Sequence, residues 1–217
     1  KATVVVELFT SQGCSSCPPA DDVFNTLVDN GNLVTLSYHV NYWDYLGWKD
    51  TLAKEDFSQR QYDYAHSRGD MDVYTPQVIV QGKSHHVGTD LNEIKSVVQS
   101  TTTGTGLWVS PVLSVQGPDV QVYVPAASDA PSCTVWLASV VPSKTIKVER
   151  GENAGKELTY RNVVRALLPA GMWNGEPVNL KLPASSVLPH DCRRCVALVQ
   201  VGKGGPIVGA ASVSVSA

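Results

Sequence analysis

Positive charge is in short supply in this chain: 17 Lys and Arg stand against 20 Asp and Glu, a formal net charge of -3. No basic face is available to neutralise a phosphate backbone, so nucleic acid is not an expected partner. Also missing is any apolar run near the ~18 residues that a membrane-spanning helix needs, so no membrane span is expected. No internal repeat at a fixed period is visible. Charged residues make up only 17% of the 217 positions, whereas 17 Gly and 13 Pro point to a globular chain rich in turns. That length suits one large domain or two small ones.

Five cysteines are present, four of them in two close pairs, Cys14/Cys17 and Cys192/Cys195. Paired cysteines suit an oxidising compartment, although Cys133 leaves the count odd. The sequence starts at Lys1 and enters a strand-like run at once, as a chain trimmed at its N-terminus does. A secreted or periplasmic protein is the expectation.

Two apolar β-branched runs, "TVVVELF" (3–9) and "LVTLSYHV" (33–40), read as buried strands. Between them "CPPADDVFNTLVDNG" has Pro at its start, acids in its first turn, Val23, Leu27 and Val28 on one face, and Gly31 as a stop. A second helix is expected over 51–70, closed by Gly69, then two short strands in 76–88 and a last helix over 90–100 capped by Thr89 or Asp90. The order is β-α-β-α-β-β-α. "STTTGTG" (100–106) has the composition of a flexible linker. Beyond it the pattern turns to short alternating strands punctuated by Gly, Pro and Asn, which predicts an all-β, sandwich-like domain. The expected units are 1–103 and 107–217.

The first cysteine pair, in "FTSQGCSSCPPADD", lies between a strand and a helix. Disulfide exchange needs a thiolate, and a free cysteine with a pKa near ~8.5 is mostly protonated at neutral pH. A helix starting near Cys14 would aim unpaired N–H groups and its dipole at that sulfur and favour the anion. Cys14 is then the nucleophile and Cys17 the resolving thiol. Ser15 and Ser16 add hydroxyl donors without charge, and Pro18 fits the first turn. Far off, "VYTPQVIV" sets Thr75-Pro76 at a strand start, where a cis bond is plausible.

A C-x-x-C between first strand and helix, followed by a Thr-Pro before the penultimate strand and a closing helix, resembles the thioredoxin superfamily over residues 1–100. Nearly the whole chain, through "VELFTSQGCSSCPPAD", "YTPQVIV", "GENAGKELTYRNVVRALLP" and a late "VGAA", is similar to a family of secreted thioredoxin-like proteins of unknown function. The resemblance implies an α/β thioredoxin-like domain, a cis Pro76 packed against Cys14 and Cys17, and a Thr75 backbone that pairs with an extended substrate. It also implies that Glu7 is the carboxylate relaying a proton to the resolving cysteine. Gln12, Trp43 and Tyr74 are the candidate substrate contacts. The expected activity is thiol-disulfide exchange on protein or peptide thiols and disulfides, with no cofactor. The alternative is a non-catalytic binding module whose disulfide is structural.

For Cys192/Cys195, beside Arg193 and Arg194, two roles stand open: a thiolate relay to the first pair, or a local disulfide. A four-thiolate zinc site would need both pairs together, whereas they fall in different expected domains. Neither pair is followed by His, as haem attachment requires. His85 and His86 are adjacent in a strand and point to opposite faces. His39 ends the second strand, as a site residue or a satisfied polar group. "HVNYWDYLGWKD" (39–50) gathers Tyr42, Trp43, Tyr45 and Trp48 around Asp44, either as a peptide-binding lip or as a cluster sealing its own loop.

Overall fold

The computed structural model describes residues 3–104 and 106–216. The first part runs β1 (Val4–Thr10), α1 (Cys17–Val28), β2 (Leu33–His39), a 3-10 turn (Asp44–Leu46), α2 (Glu55–Arg68), β3 (Gln77–Val80), β4 (Ser84–Val87) and α3 (Leu91–Thr103). The second runs β5 (Val112–Gln116), β6 (Asp119–Val124), β7 (Cys133–Lys147), β8 (Glu157–Trp173), β9 (Val178–Pro183), a single helical turn α4 (Ala184–Val187), β10 (Arg194–Val201) and β11 (Ile207–Ser214). Among the described residues no helix is long and apolar enough to cross a membrane.

This architecture corrects the expected thioredoxin-like domain followed by a sandwich. Strands from both parts join one eight-stranded mixed sheet, in the order β11-β10-β7-β8-β2-β1-β3-β4, and β5, β6 and β9 form a separate three-stranded sheet. The reason is an open edge: β2 pairs with β1 on one side only, and an unpaired edge accepts another strand. The β7–β8 ribbon supplies it. The seam is narrow, with Ser37 opposite Val163 in parallel. Side chains reinforce it, the Ser37 hydroxyl donating to Arg161 O and Asn162 Nδ2 to Thr35 Oγ1, both at 2.9 Å.

The core follows the sheet across the seam. Phe9, Leu36, Tyr38, Phe57 and Tyr64 pack in one cluster with Val140, Val164, Leu198 and Ile207. Leu137 and Val199, next along their strands to Ala138 and Leu198 of that cluster, face the other way into a second cluster with Val120 and Val122 of β6. The small sheet therefore covers the back of β7 and β10 and does not close a sandwich of its own. On the other flank α1 and α3 bring Phe24, Leu27 and Ile94 against Val4, Val6 and Leu8 of β1.

Two local details also differ from expectation. The stretch read as a linker is helical as far as Thr103, and the hydroxyls of Thr101 and Thr102 are satisfied within α3 by bonding back to Val97 O and Val98 O; Thr105 lies outside the described residues. Where short strands punctuated by Pro are expected, Cys133–Lys147 is one long strand, β7, with Pro142 inside it. Pro142 has no N–H to give, and the ladder skips it: Val141 pairs with Val163 and Ser143 with Arg161, while Asn162 takes a positive φ of 46°.

A buried polar network spans both parts. Arg60 Nε donates to Glu7 Oε2 at 2.9 Å, its Nη1 to Gln200 Oε1 at 3.0 Å and its Nη2 to the Tyr64 hydroxyl at 2.8 Å, while that hydroxyl donates to Glu7 Oε1. Deleting one partner of a buried pair strands the other charge at a cost of about 3–5 kcal/mol. Arg60→Met is expected to lower unfolding free energy by about that amount in denaturant titrations, whereas an exposed change such as Lys203→Met should leave it nearly unchanged.

Candidate functional site

Cys14 and Cys17 form a disulfide, with Cα atoms 5.4 Å apart. The two sulfur-bearing residues differ in access: Cys14 retains 6% of its surface and Cys17 none. An incoming group therefore reaches Cys14 first. The helix does not begin at Cys14 as expected. Its N-cap is Ser16, α1 opens at Cys17, and Asp21 and Asp22 fall beyond the first turn. Pro18 and Pro19 carry no N–H, and the Cys17 N–H is taken by Cys14 O at 3.3 Å. The first turn thus has few amide donors left for a thiolate.

Hydroxyls take that place. The Thr75 hydroxyl donates to Cys14 Sγ at 3.3 Å, and the Ser16 hydroxyl lies 3.4 Å from the same sulfur. Thr75 has one proton to give. Trp43 helps to aim it at the sulfur, because its Nε1–H donates to Thr75 Oγ1 at 2.7 Å and takes one of the oxygen's two lone pairs. Thr75 O also faces the sulfur, at 3.9 Å, which would favour a neutral thiol, but the hydroxyl is nearer. The Thr75-Pro76 peptide bond is cis and Pro76 is buried.

Beneath the disulfide, α1 places Asp21 one turn after Cys17 on the same face. Thr10 Oγ1 donates to Asp21 Oδ1 at 2.7 Å, and Asp21 Oδ2 is buried without a hydrogen-bond partner among the described residues. Burial raises the Asp21 carboxyl to about 7, the Thr10 bond and nearby His39 opposing it in part while Asp22 and Asp50 add to it. His39 Nδ1 bonds Asp50 Oδ2 at 2.8 Å, and the His39 ring meets that of Tyr160 edge to face. His39 Nε2 and the Tyr160 hydroxyl are likewise buried and unpartnered among the described residues.

Glu7 is elsewhere. Residues alternate across a strand, so Glu7 points with Phe9 toward α2, where Arg60 and Tyr64 hold it, and away from the face that carries Thr10 and Asp21. Gln12 is fully buried, its side chain accepting from Trp48 Nε1 at 2.8 Å and its N–H donating to Asp50 Oδ2 at 2.8 Å. It braces the loop and presents nothing to a substrate. Tyr74 is half-buried, its hydroxyl 2.9 Å from His85 Nδ1, and His85 Nε2 faces Asp70 at 3.3 Å. Of the aromatic stretch, Trp43 and Trp48 turn inward while Tyr45 is 76% exposed.

Cys192 and Cys195 are buried free thiols, not the second disulfide that one reading allowed. Burial pushes the Cys195 thiol up to about 12 and raises Cys192 despite the guanidiniums of Arg165 and Arg193. Cys192 packs with Leu52, Val141 and Tyr160. Cys133, also free, is pushed up to about 11 by burial. No three His, Cys, Asp or Glu side chains gather as metal ligands among the described residues. Missed by sequence reasoning were Asp21, Asp50, Tyr160 and Asn153, the last fully buried and bonded to the dithiol loop.

Asp21 generates a stability prediction. A carboxyl raised in the folded state contributes most when protonated in both states; that contribution is lost as pH rises from the ordinary carboxylate range through about 7. Asp21→Asn should flatten this fall in the denaturation midpoint between about pH 4 and 7. An unchanged slope would place the proton elsewhere.

Comparisons with known proteins agree with this architecture. A family described as a protein of unknown function (DUF1223) matches residues 5–200. A crystal structure of a protein from Agrobacterium tumefaciens is 36% identical, covering 98% of this chain and 94% of that one with a TM-score of 0.84. HBP35 of Porphyromonas gingivalis, at 15% identity and a TM-score of 0.70 over 99% of this chain and 76% of that one, shares the fold. No curated protein matches.

Proposed function

The chain belongs to the protein family of unknown function DUF1223, and we propose that its Cys14–Cys17 pair exchanges disulfides with protein or peptide thiols. One observation carries the reading: the more accessible cysteine of the pair faces a hydroxyl whose proton is steered onto its sulfur by Trp43. The thioredoxin-superfamily resemblance of the C-x-x-C and Thr-Pro motifs supports the same chemistry, and a lasting disulfide suits a secreted or periplasmic location.

From the oxidised state, a substrate thiolate attacks Cys14 Sγ, the Cys14–Cys17 bond breaks, and Cys17 leaves as a thiolate that takes a proton from the Asp21 carboxyl. A second substrate thiolate then attacks the substrate sulfur of the mixed disulfide. The substrate ends oxidised by two electrons, and Cys14 departs as a thiolate stabilised by the Thr75 hydroxyl. Run backwards, the same steps reduce a disulfide. Asp21 replaces Glu7 in the proton-handling role because its unpartnered Oδ2 is free to carry the proton. Thr75 and Trp43 act on the nucleophile, with Pro76 and Tyr74 forming the adjoining wall.

The test is exchange with a fluorescent peptide disulfide in a glutathione redox buffer. Wild type and Cys192→Ala/Cys195→Ala are expected to turn over alike, and Cys14→Ser to fall to background. A Cys14–Cys17 bond inert to the buffer, or a Cys14→Ser variant of undiminished activity, would leave the binding-module reading in its place.

A further inference from the structure

The turn between β7 and β8 reaches the dithiol loop from more than a hundred residues away in sequence. Its tip carries Asn153, which is fully buried although its neighbours Glu152 and Ala154 are exposed. Asn153 Nδ2 donates to Gln12 O at 2.9 Å and to Cys14 O at 2.8 Å. Lys156 Nζ donates to Asn153 Oδ1 at 3.0 Å. The amide's orientation is thereby fixed, since two acceptors lie on one side and a donor on the other.

The turn itself is tightly bonded. Gly155 N–H donates to Val148 O at 2.8 Å, and Val148 N–H to Lys156 O at 2.9 Å. Gly151 has a φ of +80°, and a Cβ there would sit 3.1 Å from Trp48 Cβ, so this turn lies directly on the loop that carries Trp43 and Trp48. Cys14 O is also the acceptor of the Cys17 N–H. One carboxamide therefore holds the carbonyls on both sides of Gly13, the second of which closes the C-x-x-C turn.

We infer that Asn153 is a positioning residue for the dithiol: from the β7–β8 turn it pins the Gln12 and Cys14 carbonyls so that Cys14 Sγ stays under the Thr75 hydroxyl whether the disulfide is closed or open. This rests on the exchange reading above. Its consequence is that the C-terminal half is part of the redox site. Opening the disulfide removes the side-chain cross-link between Cys14 and the first residue of α1, and the loop then depends more on Asn153, on Gln12 N–H to Asp50 and on Trp48 to keep its place. The donated N–H groups also set positive partial charge beside the Cys14 peptide, which favours the anion.

The experiment follows alkylation of Cys14 in the reduced protein across pH, together with its redox equilibrium against glutathione, in wild type, Asn153→Ala, Asn153→Gln and Asn153→Asp. Folded variants are selected by near-ultraviolet circular dichroism, and Asn153→Gln keeps the amide should Asn153→Ala not fold. The Cys14 midpoint is expected to rise by roughly 0.5–1 pH unit in Asn153→Ala, less in Asn153→Gln, and most in Asn153→Asp, where a carboxylate faces two carbonyls. The redox equilibrium should move with it toward the disulfide. A wild type that exchanges alongside variants with its midpoint and equilibrium overturns the positioning role alone. A wild type that does not exchange overturns that role and the exchange reading together.

Discussion

Trp43 gives its indole N–H to the Thr75 oxygen, and Thr75 gives its only hydroxyl proton to Cys14 Sγ. The proposed chemistry depends on this two-bond chain, because the usual source of thiolate stabilisation is thin here: α1 starts at Cys17 and follows it with two prolines. A neutral hydroxyl whose rotor is fixed can still be a good donor, since no reorientation is needed when charge appears on the sulfur. Three separate segments must then stay in register, the dithiol loop, the 39–50 loop and the Thr75-Pro76 turn. Buried polar contacts hold them: Asp50 to His39 and to the Gln12 N–H, Trp48 to Gln12, and Asn153 to the dithiol loop.

Contacts along the start of β8 show how a residue near position 150 reaches a loop near position 14. Tyr160 meets the His39 ring and Thr159 O accepts from Asn25 Nδ2 of α1, which brings the turn just before β8 to the dithiol loop. Two internal polar networks keep the parts from sliding, Glu7 with Arg60 and Gln200, and Gln81, whose side chain accepts from Val5 N and donates to Ile207 O. Residues from β7, β10 and β11 share a core with α2. A scaffold of this kind suits a site that must hold its geometry while a covalent bond opens.

The sequence makes local things legible and distant ones not. The order of elements through α3, the cap at Asp90, the αL stop at Gly69 and the place of the C-x-x-C follow from side-chain periodicity and from the chemistry of Pro and Gly. What escapes is pairing between distant segments: nothing in "VVVELF" shows which face Glu7 takes, and nothing in "GENAGK" shows that Asn153 would be buried. Pro142 punctuates a run that the structure carries through as one strand, and the alternating strands of the second part fit a free sandwich as well as an extension of the first sheet. Asp21 was visible but ambiguous, since an acid early in a helix is most simply read as serving the dipole.

The most direct test of the account is the pH dependence of Cys14 alkylation in the reduced protein, compared between wild type and Thr75→Val. The wild-type midpoint is expected well below the ~8.5 of a free cysteine, with a clear upward shift when the hydroxyl is replaced by a methyl group of the same shape. A wild-type midpoint at or above ~8.5, or one that Thr75→Val leaves where it was, would contradict it.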